Sequence, residues 1–259
     1  MKHSALIISL LAALALFAAP PSPPAAGSPF PDAKVTLGPK GAVILVGGSP
    51  TLIAELDRHR QAFEKLGLRV AQLRELTGQP PGCGWFILGP KRSIAAKYFE
   101  SGQCYTSAAI LVHRFGWTPP DTAQVQGKQL TASVGASNST AAPGERVTLT
   151  IDIELEPDMH VYAPGVDGYI PIDWKMESSG AADVHAPEFP QPEKLYLKAI
   201  DETVPAYRDH FRLIRDVTIS AGASGTVTLD GALRYQACDD RVCYIPQTLH
   251  LHWTFSSRS

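Results

Sequence analysis

The chain has 259 residues, enough for two cores of ordinary size, and its 44% hydrophobic content is that of a globular protein. Charged residues make up 19% and the formal net charge is -2, so the charge balance gives no reason to expect nucleic acid or an anionic membrane surface as partner. The 22 prolines and 21 glycines favour a fold of many turns over one of long helices.

Lys2 and His3 precede an apolar run from Ala5 to Ala19 and a Pro/Ala/Ser/Gly stretch to about Ser28. The run falls short of the about 20 residues of a membrane-spanning helix. It reads as a secretory signal peptide, residues 1–27, with Ala25 and Gly27 flanking a cleavage after Gly27. An uncleaved N-terminal anchor is the alternative. There is no cysteine before Cys83 to carry a lipid, and the mature chain is expected to be soluble and exported.

From residue 34 to 117, short apolar runs alternate with helical segments. Val43 to Val46 reads as a buried strand, and Pro50 opens a helix that buries Leu52, Leu56, Phe63 and Leu66 until Gly67 ends it. Arg69 to Leu73 returns as a strand, Trp85 to Leu88 and Ile94 to Phe99 flank a turn, and Thr106 to Phe115 forms a second helix. The order strand, helix, strand, hairpin, helix resembles the thioredoxin and peroxiredoxin fold. That fold's nucleophilic cysteine stands between first strand and first helix, where this chain reads Gly48-Ser49-Pro50-Thr51-Leu52. The resemblance implies a shortened thioredoxin-like domain without its catalytic centre, kept as a scaffold or docking surface.

Residues 118–129 are polar and turn-rich and read as a linker. Beyond them the period becomes two. Val147, Leu149, Ile151 and Ile153 alternate with polar residues, as do Ile170, Ile172, Trp174 and Met176; Val227, Leu229 and Leu233, then Leu249, Leu251 and Trp253, repeat the pattern. Residues 130–256 therefore read as an antiparallel β-sandwich of immunoglobulin-like size. The expected fold class is α/β plus all-β.

Four cysteines in an exported chain permit three pairings, and Cys83 with Cys104 and Cys238 with Cys243 keeps each pair within one domain. For Cys83 and Cys104 a structural bridge is expected, with a second redox pair as the alternative. Cys238 and Cys243 bracket a four-residue turn that brings two sulfurs within reach. Such a small ring is a weak staple, and a bond at the end of a sheet is open to an incoming thiolate. Spacing alone leaves a structural staple and an exchangeable bond both open. A metal site recruiting His250 and His252 is disfavoured because the spacing lacks the C-x2-C form of zinc sites. No metal or other cofactor is expected.

The segment Tyr235-Gln236-Ala237-Cys238-Asp239-Asp240-Arg241-Val242-Cys243-Tyr244-Ile245-Pro246 resembles the active-site segment of the N-terminal domain of DsbD, the transmembrane thiol-disulfide interchange protein. The resemblance covers roughly residues 130 to 255. Met159-His160-Val161-Tyr162 is similar to the strand whose aromatics pack beside that family's disulfide, and Ala206-Tyr207-Arg208-Asp209 follows a stretch, about Leu195 to Glu202, that matches its cap in position. The resemblance implies a periplasmic module that takes electrons from a membrane-embedded dithiol and passes them to exported disulfide-bearing client proteins, thioredoxin-like ones included. It implies Cys243 as attacking and Cys238 as resolving sulfur. Asp239 and Asp240 disfavour a thiolate while Arg241 favours one, so a strongly lowered cysteine pKa is not expected. Tyr162, Tyr235 and Tyr244 are candidate shields of the pair, against plain core packing. The sequence carries no multi-helix membrane domain and no CxxC thioredoxin domain, so the expected electron donor is a separate protein.

Overall fold

The computed structural model describes residues 24–32, 34–76, 82–99, 103–198 and 201–258, so most of the expected signal peptide lies outside the described residues. Strands β1 (Gly41–Val46) and β3 (Gly84–Leu88) are buried along their whole length, which is why their sequences read as unbroken apolar runs. Helix α1 (Pro50–Lys65) follows β1, with the Ser49 side chain accepting from Leu52 N and Pro50 at its start. Gly47 lies between them at φ +73°; a Cβ there would run into the Gly82 carbonyl, so this turn needs glycine to lie against the chain entering β3. Strand β2 (Leu68–Leu73) runs parallel to β1, and β3 and β4 (Ile94–Phe99) complete a mixed sheet of order β2-β1-β3-β4. On one face α1 and α2 (Ser107–Phe115) bury Leu52, Phe63 and Ile110 against Val43, Leu45 and Trp85. Phe30 and Val35 cover the other face over Ile44 and Phe86. The sequence had assigned no core role to Phe30.

After β4, the short strand β5 (Cys104–Tyr105) pairs parallel with β9 (Glu145–Leu155) of the second unit. Thr122–Gln126, expected to lie in a linker, forms strand β6 against β7 (Leu130–Ala136). It is a mostly exposed edge strand, which explains a polar composition that reads as a connector. One sheet of the sandwich runs β12 (Ala182–Glu188), β15 (His210–Ile219), β9, β7, β6; the facing sheet runs β11 (Asp173–Met176), β16 (Gly225–Tyr235), β18 (Gln247–Ser257), β8 (Thr140–Ala141). Leu149, Ile151 and Ile153 meet Leu229, Leu233 and Trp253 in the core between them. A third sheet of order β13 (Glu193–Leu197), β14 (Glu202–Arg208), β10 (His160–Tyr162), β17 (Ala237–Cys238) stands at one end. It continues the first sheet across a break: the β9/β15 ladder stops at Glu154 opposite His210 and resumes as β10/β14 at His160 opposite Arg208.

The two units meet through a polar joint. Asp216 of β15, 5% exposed, accepts from Tyr105 Oη at 2.7 Å, Thr148 Oγ1 at 2.7 Å and His113 Nε2 at 2.8 Å. Nearby, the buried Glu55 carboxylate of α1 accepts from Ser107 N, Ala108 N and Asn138 Nδ2 at 2.7, 3.2 and 3.0 Å, so one side chain ties both helices to the sandwich. Arg212 grips Asp152 and the carbonyls of Gly116 and Trp117. Burial alone would raise the Asp216 pKa, but its hydrogen bonds and the charge of His113 leave it lowered; burial would likewise lower His113, and Asp216 leaves it raised. The stabilisation from a raised His113 is fully present below its ordinary value near 6.5 and is lost as pH climbs through the raised value; that from Asp216 is lost as pH falls through its lowered value. Stability is therefore expected to peak on the mildly acidic side. Asp216→Ala should cost about 3 kcal/mol by leaving the buried imidazolium without its nearer carboxylate, measured by urea unfolding at pH 6, and should flatten the fall in stability of the parent chain between pH 6 and 9.

Candidate functional site at the Cys238–Cys243 disulfide

The site begins where β16 ends. Cys238 and Cys243 face each other as a bridge pair, Cα atoms 4.0 Å apart, and are disulfide-bonded. The turn between them is closed by Asp239: its N–H donates to Val242 O at 3.0 Å, and its Oδ1 accepts from Arg241 N and Val242 N at 2.7 and 2.8 Å. An aspartate suits the first position of such a turn because its short carboxylate reaches the N–H groups two and three residues on. Those backbone bonds hold its pKa below the usual carboxylate value. Tyr244 Oη donates to Asp239 Oδ2 at 3.2 Å, Tyr244 N to Ala237 O at 2.9 Å, and Gln236 Nε2 to Tyr244 O at 2.9 Å, so both arms of the turn are pinned.

The two sulfurs have unequal surroundings. Cys238 is 1% exposed, whereas Cys243 is exposed and stands between Val242 at 53% and Ile245 at 81% exposure. Strand β10 explains the difference. His160 lies opposite Cys238 and Val161 opposite Ala237, so His160 and Tyr162 share a face with the buried cysteine. Tyr162 Oη is 3.8 Å from Cys243 Sγ, and the Tyr162 ring packs on Tyr169 with centroids 4.3 Å apart. Glu202 accepts from Tyr169 Oη at 2.7 Å, which pushes that phenol up to about 12. The stretch expected as a cap is the tip region of a hairpin, β13 with β14, residues 199 and 200 lying outside the described residues. Its Leu195, Leu197 and Val204 form one apolar cluster with Tyr162 and Cys238.

Not every residue singled out in the sequence arrives at the disulfide. Tyr207 faces the sandwich core, stacked on Phe211 and donating to Pro190 O at 2.9 Å, and Tyr235 is fully buried there, donating to Lys128 O at 2.7 Å. Both obey the alternation of their strands, which turns them from the face holding Tyr162. Asp240 and Arg241 occupy the exposed turn, and Pro246 follows it, half-buried. His250 and His252 are exposed on β18, His252 paired with Asp230, away from the cysteines. Sequence reasoning missed Tyr169 and Val204 because neither belongs to the segment bearing the cysteines. Cys83 and Cys104 are bonded, Cα atoms 5.5 Å apart, linking the entry to β3 with β5. His113, Glu188 and Asp216 also bring potential ligand atoms within 4.8 Å of one another, but His113 turns Nε2 to Asp216 and Nδ1 to Glu188, the arrangement of a charge bridge between two carboxylates.

The fold and site define a protein with a β-sandwich that presents a disulfide of one buried and one exposed sulfur under an apolar hairpin. Residues 128–252, just under half of the chain, match the family model described as thiol:disulfide interchange protein DsbD, N-terminal, a family of thiol-disulfide electron relays. The N-terminal periplasmic domain of ScsB from Proteus mirabilis is similar at 16% identity and a TM-score of 0.41, over 52% of this chain and 51% of that one. The Neisseria meningitidis DsbD n-terminal domain in the reduced form is similar at 15% identity and a TM-score of 0.33, over 55% and 93%. The GAE domain of GGA2p from Saccharomyces cerevisiae follows at 7% identity and a TM-score of 0.32, over 51% and 97%. The chain thus spans about half the length of the ScsB domain. No curated protein sequence matches it. Among the described residues no helix is long and apolar enough to cross a membrane.

The hairpin cluster makes a kinetic expectation. Replacing Leu195 and Leu197 together by Ala removes apolar cover worth on the order of 1 kcal/mol in the closed hairpin. Reduction of Cys238–Cys243 by dithiothreitol should then run about fivefold faster, followed by quenched alkylation and mass measurement, with the rate at Cys83–Cys104 unchanged.

Proposed function

We propose that this chain is an exported thiol-disulfide exchange protein that takes two electrons from a membrane-embedded dithiol into Cys238–Cys243 and passes them to disulfide-bearing exported proteins, thioredoxin-like ones among them. The observation that carries the reading is the unequal exposure of the two sulfurs. In the dithiol form, the exposed Cys243 thiolate attacks a client disulfide; one client sulfur leaves, and a mixed disulfide joins the two proteins. Cys238, held beneath the hairpin within disulfide distance, then attacks Cys243 Sγ and releases the client as a dithiol. Val242 and Ile245 flank the attacking sulfur with apolar surface suited to a transient protein contact. The match of residues 128–252 to the DsbD N-terminal family supports the same chemistry, and the signal-like N-terminus supports a periplasmic location.

The first unit is read as a thioredoxin-like scaffold, supported by the sheet order β2-β1-β3-β4 with a helix after β1 and another after the hairpin. No cysteine stands at the start of α1; Thr51 there donates to Glu145 of the sandwich at 3.3 Å. We read its role as holding the sandwich and offering its outer face to partners.

In glutathione buffers of graded potential, the folded protein should interconvert between disulfide and dithiol at Cys238 and Cys243. A bond that opens only when the protein unfolds would mark it as a staple and overturn the reading. Cys238→Ala should trap mixed disulfides from an exported protein fraction through Cys243, and Cys243→Ala, which leaves only the buried thiol, should trap at least tenfold less.

A further inference from the structure

His160 is 2% exposed, and its Nε2 is buried without a hydrogen-bond partner among the described residues. A buried ring nitrogen left unpaired is uncommon, because nothing repays its loss of water. Burial lowers the His160 pKa first of all and Arg208 lowers it further, while Asp240 and Asp239 act against them. The imidazole is accordingly neutral at pH 7, with one nitrogen able to accept a proton. Its position is fixed by pairing on both edges of β10: Arg208 stands opposite on β14 and Cys238 opposite on β17. Directly opposed residues of an antiparallel pair project to the same face with Cβ atoms about 5 Å apart, so the imidazole and the Cys238 side chain leave neighbouring strands on one face. The groups facing His160 are Cys238 from β17, Arg208 from β14, Asp239 and Asp240 from the turn, and Tyr162 from its own strand, whose ring meets the imidazole edge-on at 5.3 Å.

We propose that His160 is the proton acceptor for Cys238 in the resolving half of the exchange. This rests on the exchange function proposed above and assigns a residue to its second step. Cys238 needs such a partner more than Cys243 does. A buried thiol beside carboxylates ionises reluctantly, whereas the exposed Cys243 can lose its proton to water. In the mixed disulfide, the Cys238 thiol gives its proton to His160, and the thiolate attacks Cys243 Sγ. The bond from Cys243 to the client sulfur breaks, and the client sulfur leaves with that electron pair. The imidazolium returns the proton to the departing thiolate or to solvent. The two electrons of the Cys238/Cys243 dithiol end on the client, the oxidant being the client's own disulfide. In the reverse direction, an external thiolate bonds to Cys243 Sγ, the Cys238 sulfur leaves as a thiolate, and it takes up a solvent proton relayed through His160.

The test uses the full chain, reduced and freed of reductant, with the Cys83–Cys104 bond verified intact by mass, and 5,5′-dithiobis(2-nitrobenzoate) as the disulfide. The first thionitrobenzoate released reports attack by Cys243, and the second reports resolution by Cys238. His160→Phe and His160→Gln should keep the first phase within twofold, slow the second at least tenfold at pH 7, and shift its pH dependence upward towards that of an unassisted buried thiol. Circular dichroism identifies a variant that fails to fold, and a measurement on the parent chain does not depend on either variant. The His160 ring 15N shifts should change when Cys238–Cys243 is reduced and should titrate at a different pH in the two redox states. An unchanged second phase in a folded variant, or His160 shifts indifferent to reduction, would overturn the assignment while leaving the exchange function standing. A parent chain that shows no second release would remove the exchange function itself.

Discussion

His160, Val161 and Tyr162 pair on one side with Arg208, Tyr207 and Ala206, and on the other with Cys238 and Ala237. Strand β10 has no further length, yet it joins the hairpin that covers the disulfide to the turn that carries it. Because side chains alternate along a strand, this pairing also divides the surroundings: His160 and Tyr162 go to the sulfurs, and Val161 goes to the sandwich core. A slip of one residue would exchange the two sets and put a valine beside Cys238. The break after Leu155 frees β10 from the sandwich sheet, so the disulfide-bearing sheet is anchored to the core at its root and free of it at its tip.

The joint between the two units is rich in buried charge. Asp216 takes Tyr105 and His113 from the first unit, Arg212 takes Gly116 and Trp117 at the connection, and Glu55 takes Asn138 from the sandwich. Buried ionic groups add little net stability once desolvation is counted, but they penalise every arrangement that leaves one unpaired. The expected result is one well-defined orientation of the first unit on the sandwich. The parallel pairing of β5 with β9 acts in the same direction, since it makes a strand of the first unit part of the sandwich sheet.

Much of this was legible in the sequence, and the parts that were not have physical reasons. The strands with clean alternation, such as β9 and β16, and the fully apolar β1 and β3 declared themselves, as did α1 through Ser49, Pro50 and Gly67. The edge strand β6 did not, because an exposed edge has no buried face to impose a period. β15 was hidden by Arg215 and Asp216, charged residues buried in a strand because they have partners from distant segments. At the site, the turn residues were readable, since Asp239 and Gln236 act on their own neighbourhood. Tyr207 and Tyr235 were drawn to the site by adjacency in sequence, although strand alternation sends them to the core. Val204 and Tyr169 reach the disulfide only through the fold.

Strand β9 has a consequence for the two disulfides. Cys104 pairs with Glu145 at its first residue, while Cys238 lies opposite His160, beyond its last residue, Leu155. Ten steps of about 3.4 Å put roughly 34 Å between those ends. Thiol-disulfide exchange requires sulfur-to-sulfur collision, so no electrons can be shared between Cys83–Cys104 and Cys238–Cys243 within one folded molecule. Each bond keeps its own redox account with the surroundings, and a measurement on one can serve as the internal clock for the other.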